Sequence, residues 1–157
     1  MSKICFLTIK DYSFDDEKRI LTGLKTLCKK SGFGAFFYKG NDIEPQLKID
    51  CDSIVISFAD DFLYDNCERF LLLDTFCYNG KNNSIPFAKR MKLLQESVYF
   101  LASFSCKLEL FLGLSGTLYE EYQHLSCTLD DFYDTICEYY PCVSMGFYEP
   151  DLHIMIE

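Results

Sequence analysis

The sequence predicts an α+β fold: a single domain with a mostly antiparallel sheet and three or four helices packed on it. Three observations carry that expectation. Short apolar or alternating runs read as strands, and longer stretches with apolar residues at three- and four-residue steps read as helices. The two kinds also follow one another irregularly, without a regular βα rhythm. The order strand–helix–strand–strand–helix–strand over residues 4–112 allows a ferredoxin-like core. A length of 157 residues suits a single domain over 1–157, with residues 79–84 the place where it could subdivide.

Residues 4–9 (ICFLTI) form an apolar run bounded by charges, which reads as a buried strand. Ser13 or Asp15 then caps a helix whose first turn (DDE) suits the positive helix N-terminus. Ile20, Leu21, Leu24, Leu27 and Cys28 fall at helical spacing, and Ser31-Gly32 supplies the stop. Residues 33–38 (FGAFFY) return as a strand, a turn follows at 39–42, and residues 53–58 (SIVISF) are a β-branched strand.

Residues 60–78 fit either period and are read as helix, with loop-forming residues at 80–84 as the clearest break in the chain. Pro86 fits the first turn of the next helix. From there Phe87, Met91, Leu94, Val98 and Leu101 step by four, three, four and three along one stripe. Lys89, Arg90, Lys92 and Glu96 take the wet side. Residues 107–112 (KLELFL) alternate as a strand that ends at the glycines 113 and 116. Residues 117–127 read as a polar excursion, and Thr128 with Asp131 nearly matches a capping box. The helix that follows, 129–139, buries Leu129, Phe132, Ile136 and Cys137 or Tyr140, exposes Asp130, Asp131, Asp134 and Glu138, and stops at Pro141. Two short strands, 143–148 and 152–156, close the chain around Glu149-Pro150-Asp151.

Charge is distributed unevenly. No lysine or arginine follows Lys107, while the last 50 residues hold 10 of the 24 carboxylates. The first 107 residues carry all 15 basic side chains against 14 acidic ones. Like charges gathered in one region cost stability through self-repulsion, so the bias suggests a use for the field. Such a surface repels nucleic acid and anionic lipid and attracts basic proteins. Tyr119, Tyr122, Tyr133, Tyr139, Tyr140 and Tyr148 share the segment, and tyrosine is favoured at interfaces. The aromatics also allow a homodimer. The plain alternative is a solvated acidic surface.

A hydrophobic fraction of 49% with 17% aromatics excludes a disordered chain. No stretch reaches the roughly 18 apolar residues of a membrane helix. The N-terminal apolar run has six residues and meets Lys10 and Asp11, unlike a secretory signal, so the expected address is cytoplasmic. Nine scattered cysteines with no signal read as reduced core thiols.

Catalytic candidates are thin. His124 and His153 are the two histidines, and His153 alternates with apolar residues in LHIMI as a strand-face residue does. The GLSG turn has neither the spacing of a nucleophile elbow nor the lysine of a phosphate loop. His124, Cys127, Cys137 and Cys142 form a zinc-compatible set, but their spacing matches no common finger and core packing explains the thiols. Adjacent carboxylates such as Asp60-Asp61 and Asp130-Asp131 point about 100° apart on a helix and do not converge unaided. No metal and no cofactor is expected.

The C-terminal block runs PFAKRMKLLQESVYFLASF, CKLELFLGLSGT, LYEEYQHLSC and TLDDFYDTIC: helix, glycine-ended strand, acidic-aromatic link and capped helix. Over roughly residues 85–140 this pattern resembles small bacterial immunity proteins, the cytosolic inhibitors encoded beside contact-dependent or other polymorphic toxins. The resemblance implies no catalytic residues and a non-enzymatic role: binding a toxin domain, often a nuclease, whose basic groove a carboxylate-rich surface can occupy. The expected contact residues are Tyr119, Glu120, Glu121, Tyr122, Asp130, Asp131, Asp134 and Glu138. Two rival readings are an adaptor or assembly subunit for another basic protein, and a small thiol- or zinc-dependent enzyme.

Overall fold

The computed structural model describes residues 3–30, 33–40, 42–60, 87–104, 106–114, 116–139 and 151–157. The stop at Ser31-Gly32, the helix expected beyond Asp60 and the break at 80–84 lie outside them. So do Pro86, Pro141, the strand expected over 143–148, and Glu149-Pro150. Within the described residues a six-stranded sheet carries three helices. The strands are β1 (Lys3–Lys10), β2 (Phe33–Lys39), β3 (Ile54–Asp60), β4 (Lys107–Leu114), β5 (Gln123–Cys127) and β6 (Leu152–Ile156). The helices are α1 (Glu17–Lys30), α2 (Phe87–Ala102) and α3 (Phe132–Tyr139).

Strand order is β2-β3-β1-β4-β6-β5. The first four strands are antiparallel to each neighbour, which is the order and sense of the ferredoxin-like core that the sequence allows. β6 adds antiparallel to β4, and β5 adds parallel to β6 at the edge. That last strand corrects the reading of residues 117–127 as an excursion. QHLSC is half polar and too short to announce itself, and it becomes a strand by pairing with β6. Parallel neighbours need a long crossover. The connection from β5 to β6 supplies one, carrying α3.

Alternation along each strand separates two faces. One face carries Cys5, Leu7, Ile9, Ile54, Ile56, Leu108, Leu110, Leu112, Leu152, Ile154 and Ile156, and all three helices pack on it. α1 buries Ile20, Leu24 and Cys28; α2 buries Met91, Leu94, Val98 and Leu101 of the expected stripe, the side chain of Phe87 lying outside those described, and Leu93 beside them; α3 buries Phe132 and Ile136. α1 meets α2 closely at Gly23, where an added Cβ would lie 2.2 Å from the Phe100 ring. Glycine in a helix interior costs about 1 kcal/mol relative to alanine, offset here by the close approach. α1 begins after a 3-10 turn, Phe14–Asp16, and Ser13 precedes that turn without a side-chain capping bond, contrary to the expected cap.

The sequence places the start of this helix at Leu129, but residues 129–131 form a turn and α3 begins at Phe132; the expected Thr128–Asp131 contact is made within that turn. The Asp131 N–H donates to Thr128 Oγ1 at 3.3 Å, and the Thr128 hydroxyl donates to Asp131 Oδ2 at 3.0 Å. The start is also tied to the sheet, since Leu129 N–H donates to the Glu157 carbonyl and Glu157 N–H to the Cys127 carbonyl.

The other face has no helix among the described residues. Phe6, Val55, Phe111, Leu47 and Tyr122 form a second, smaller core there. Two 3-10 turns contribute to it: Pro45–Leu47 between β2 and β3, and Tyr119–Glu121 between β4 and β5. No described helix is long and apolar enough to cross a membrane. The thiols are only partly the expected core set: among the described cysteines Cys5 and Cys28 are buried, Cys106, Cys127 and Cys137 are half-buried, and Cys51 is exposed.

Candidate functional site

Apart from Glu157, which follows β6, and Glu149, which lies outside the described residues, the carboxylates after Lys107 divide into three groups. Glu109 lies on the face opposite the helices, and Asp151 is half-buried, accepting the Thr117 hydroxyl at 2.8 Å. A second group sits in the turn before β5. There Glu120 is ion-paired with Lys48, whose hydrogen bond is the first cause holding the Glu120 carboxyl below its ordinary range. Glu121 beside it is exposed. The third group is on and before α3, where Asp130, Asp131, Asp134 and Glu138 are all exposed. Asp131 is engaged as the cap. Asp134 and Glu138 are four residues apart on α3, so they share one face about 6 Å apart along the axis, and Asp130 lies in the turn before the helix; none of the three has an ion pair among the described residues.

The eight expected contact residues are therefore not one patch. The Tyr119–Glu121 turn packs with the second core, while α3 packs with the first, so the sheet stands between them and β5 is the edge they flank. Tyr122 departs from the expected surface ring. It is 4% exposed and packs edge-on against Phe111 at 5.7 Å. Burial, with Asp151 and Glu44 nearby, pushes its phenol well above the ordinary range. Tyr119 is half-buried, with its ring 4.5 Å from that of His124. Sequence reasoning placed these tyrosines at an interface because burial of a single ring on the open sheet face leaves no periodic signal.

The structure joins residues the sequence left apart. Parallel pairing sets His124 of β5 beside His153 of β6, and antiparallel pairing sets His153 beside Phe111 of β4. His153 is 2% exposed and stacks on Phe111 at 4.4 Å. The Nδ1 atoms of His124 and His153 are 2.8 Å apart, so one is a donor and the other an acceptor. His153 Nε2 lies 3.4 Å from Glu109 Oε2 but has no hydrogen bond. A lone pair facing a carboxylate is unfavourable, so we assign the His153 proton to Nε2 and make His124 Nδ1 the donor. His124 thus spends its Nδ1 within the protein. Of the zinc-compatible set, Cys142 lies outside the described residues, and among those described no group of three or more His, Cys, Asp or Glu converges on a metal position.

Glu109 also lines a cavity of about 630 Å³ on this face. Thr8, Glu109 and Phe111 line it from the sheet, and residues 47–50, Tyr119 and Met155 complete the walls. The wall around Pro45–Leu47 is bracketed by Glu44 and Lys48, both left-handed at φ 45° and 56°. Such non-glycine residues cost about 1–3 kcal/mol and persist where the surroundings hold them. Here Glu44 Oε2 accepts the Gly116 N–H at 3.2 Å, and Lys48 pairs with Glu120 across the same opening.

Comparison with family models, with characterised proteins and with solved structures gives no match.

Proposed function

We propose that this chain is a non-catalytic acidic binding protein that neutralises a cognate toxin domain, as an immunity protein does. The observation that carries the reading is the acidic row of Asp134 and Glu138 on one face of α3 with Asp130 in the turn before it: exposed, and without a described cationic partner. Folding has used Glu120, Asp131 and Asp151 in contacts of their own, which leaves Asp130, Asp134, Glu138 and Glu121 free for a partner among the described carboxylates before β5 and around α3. A basic groove facing such a row would be attracted before contact. Opposed fields raise association to about 10⁸–10⁹ M⁻¹s⁻¹ at low salt. The resemblance over residues 85–140 supports a toxin, nuclease domains being a common target, as the owner of that groove.

The test is co-expression with the reading frame beside the gene, followed by stopped-flow association of the purified pair. Changing Glu121, Asp130, Asp134 and Glu138 together to Ser lowers the on-rate about tenfold at low ionic strength and flattens its salt dependence. A complex that forms with unchanged on-rate and salt dependence overturns the electrostatic mechanism. Failure of the chain to protect against any adjacent gene product overturns the immunity role itself.

A further inference from the structure

The cavity opposite the helices has a charge balance that names its ligand. Its ionic lining is Lys10, Lys48, Lys107, Asp50, Glu109 and Glu157. Each lysine is already matched: Lys10 with Asp50, Lys48 with Glu120, and Lys107 with Asp11 at 3.4 Å. Removing those pairs leaves Glu109 and Glu157, two negative charges with no lysine or arginine on them among the described residues.

Glu109 also lies against a buried side chain. Oε2 faces the buried Nε2 of His153, the ring of which is fixed by Phe111 on one side and His124 on the other. The side chain keeps 39% of its surface exposed, so the carboxylate has the buried ring behind it at 3.4 Å and is open in front. His153 is more than nine-tenths buried, and its Nε2, which has no hydrogen-bond partner, points at this carboxylate. A ligand drawing on Glu109 would bring that orphaned N–H into play by seating the carboxylate against it. Around the acid stand groups suited to an alkyl chain next to a cation: the Tyr119 ring, the Met155 thioether and Leu47. The buried hydroxyl residues Thr8 and Ser53 line the same space. The volume falls within the roughly 300–1,000 Å³ usual for small-ligand sites.

We propose that this cavity binds an organic cation, an alkylammonium or guanidinium group whose head sits on Glu109 and whose chain lies along Tyr119 and Met155. The site is separate from the acidic row at α3 and stands or falls independently of it. The same chemistry is offered by a free small molecule and by the arginine or lysine side chain of a docked protein.

Titration of the full-length chain with agmatine, followed through the His153 and Glu109 side-chain NMR signals, tests it. Agmatine shifts both signals saturably, n-butanol shifts neither, and Glu109→Gln weakens binding at least tenfold. Met155→Trp, which fills the cavity from its exposed rim, also abolishes binding and serves if Glu109→Gln does not fold. A blocked Gly-Arg-Gly peptide that binds as well as agmatine assigns the site to a partner's side chain; agmatine binding alone assigns it to a free ligand. Replacing Asp130, Asp134 and Glu138 leaves agmatine binding unchanged. The proposal is overturned by no saturable shift, or by equal affinity in the folded Glu109→Gln protein.

Discussion

Phe111→Ala tests whether the face opposite the helices is a second core and not a wetted surface. Phe111 is 1% exposed, with His153 stacked on it at 4.4 Å and Tyr122 edge-on at 5.7 Å. Truncating a buried phenylalanine costs about 3–5 kcal/mol, and each ring pair accounts for about 0.5–1.5 kcal/mol beyond its area. With two ring partners and no helix over it among the described residues, about 4 kcal/mol is expected. For a domain of this size 1 kcal/mol moves Tm by about 2–4 °C, so the drop is roughly 8–16 °C. Urea unfolding and calorimetry measure both. Phe36→Ala is the control, because Phe36 is 50% exposed, and its loss should stay below about 1 kcal/mol. A Phe111→Ala loss no larger than the Phe36→Ala one would refute the second core and, with it, the built floor of the cavity.

Three further outcomes follow from particular contacts. Burial pushes the Cys5 thiol from 9.0 up to about 12, so the native state resists an ionisation that the unfolded chain accepts. The stability this confers is complete below pH 9 and is lost as pH rises from 9 towards 12, reaching about 2 kcal/mol by pH 10.5. Urea melts at pH 8 and 10.5 should show that extra loss relative to Cys5→Val, and equal slopes would contradict it. Lys48→Met should move the Glu120 carboxyl back up toward its ordinary titration range in NMR, since the lysine's hydrogen bond is the first cause of its depression; an unaltered Glu120 titration would show that Lys48 does not hold the Tyr119–Glu121 turn. Thr128→Ala should cost about 1 kcal/mol and speed hydrogen exchange in α3, with Thr128→Ser largely sparing both; unchanged exchange would remove the cap from the account.

What the chain alone determined is what local periodicity and end signals encode. β1, β3 and β4 are apolar or alternating runs, α2 is a three-and-four stripe, and the Thr128–Asp131 pair marks the turn into α3, so these were legible, although α3 begins three residues later than its cap signal suggests. The exposure of Asp134 and Glu138 followed from the same arithmetic, because a helix that buries Phe132 and Ile136 must turn those two outward. β5 was not legible: half its side chains are polar, and its backbone hydrogen bonds exist only once β6 is beside it. Tyr122 was assigned to a surface for a related reason, since a ring buried by a turn folding over a sheet has no repeating neighbour to betray it. The pairing of His124 with His153 joins residues 29 positions apart, and the Lys48–Glu120 contact spans 72. Contacts at those separations depend on strand order and register, which the sequence expresses only through the sum of all its packing. Tertiary structure alone therefore decided that the acidic segment is split across a sheet edge, and that a carboxylate backed by a buried histidine opens into a cavity.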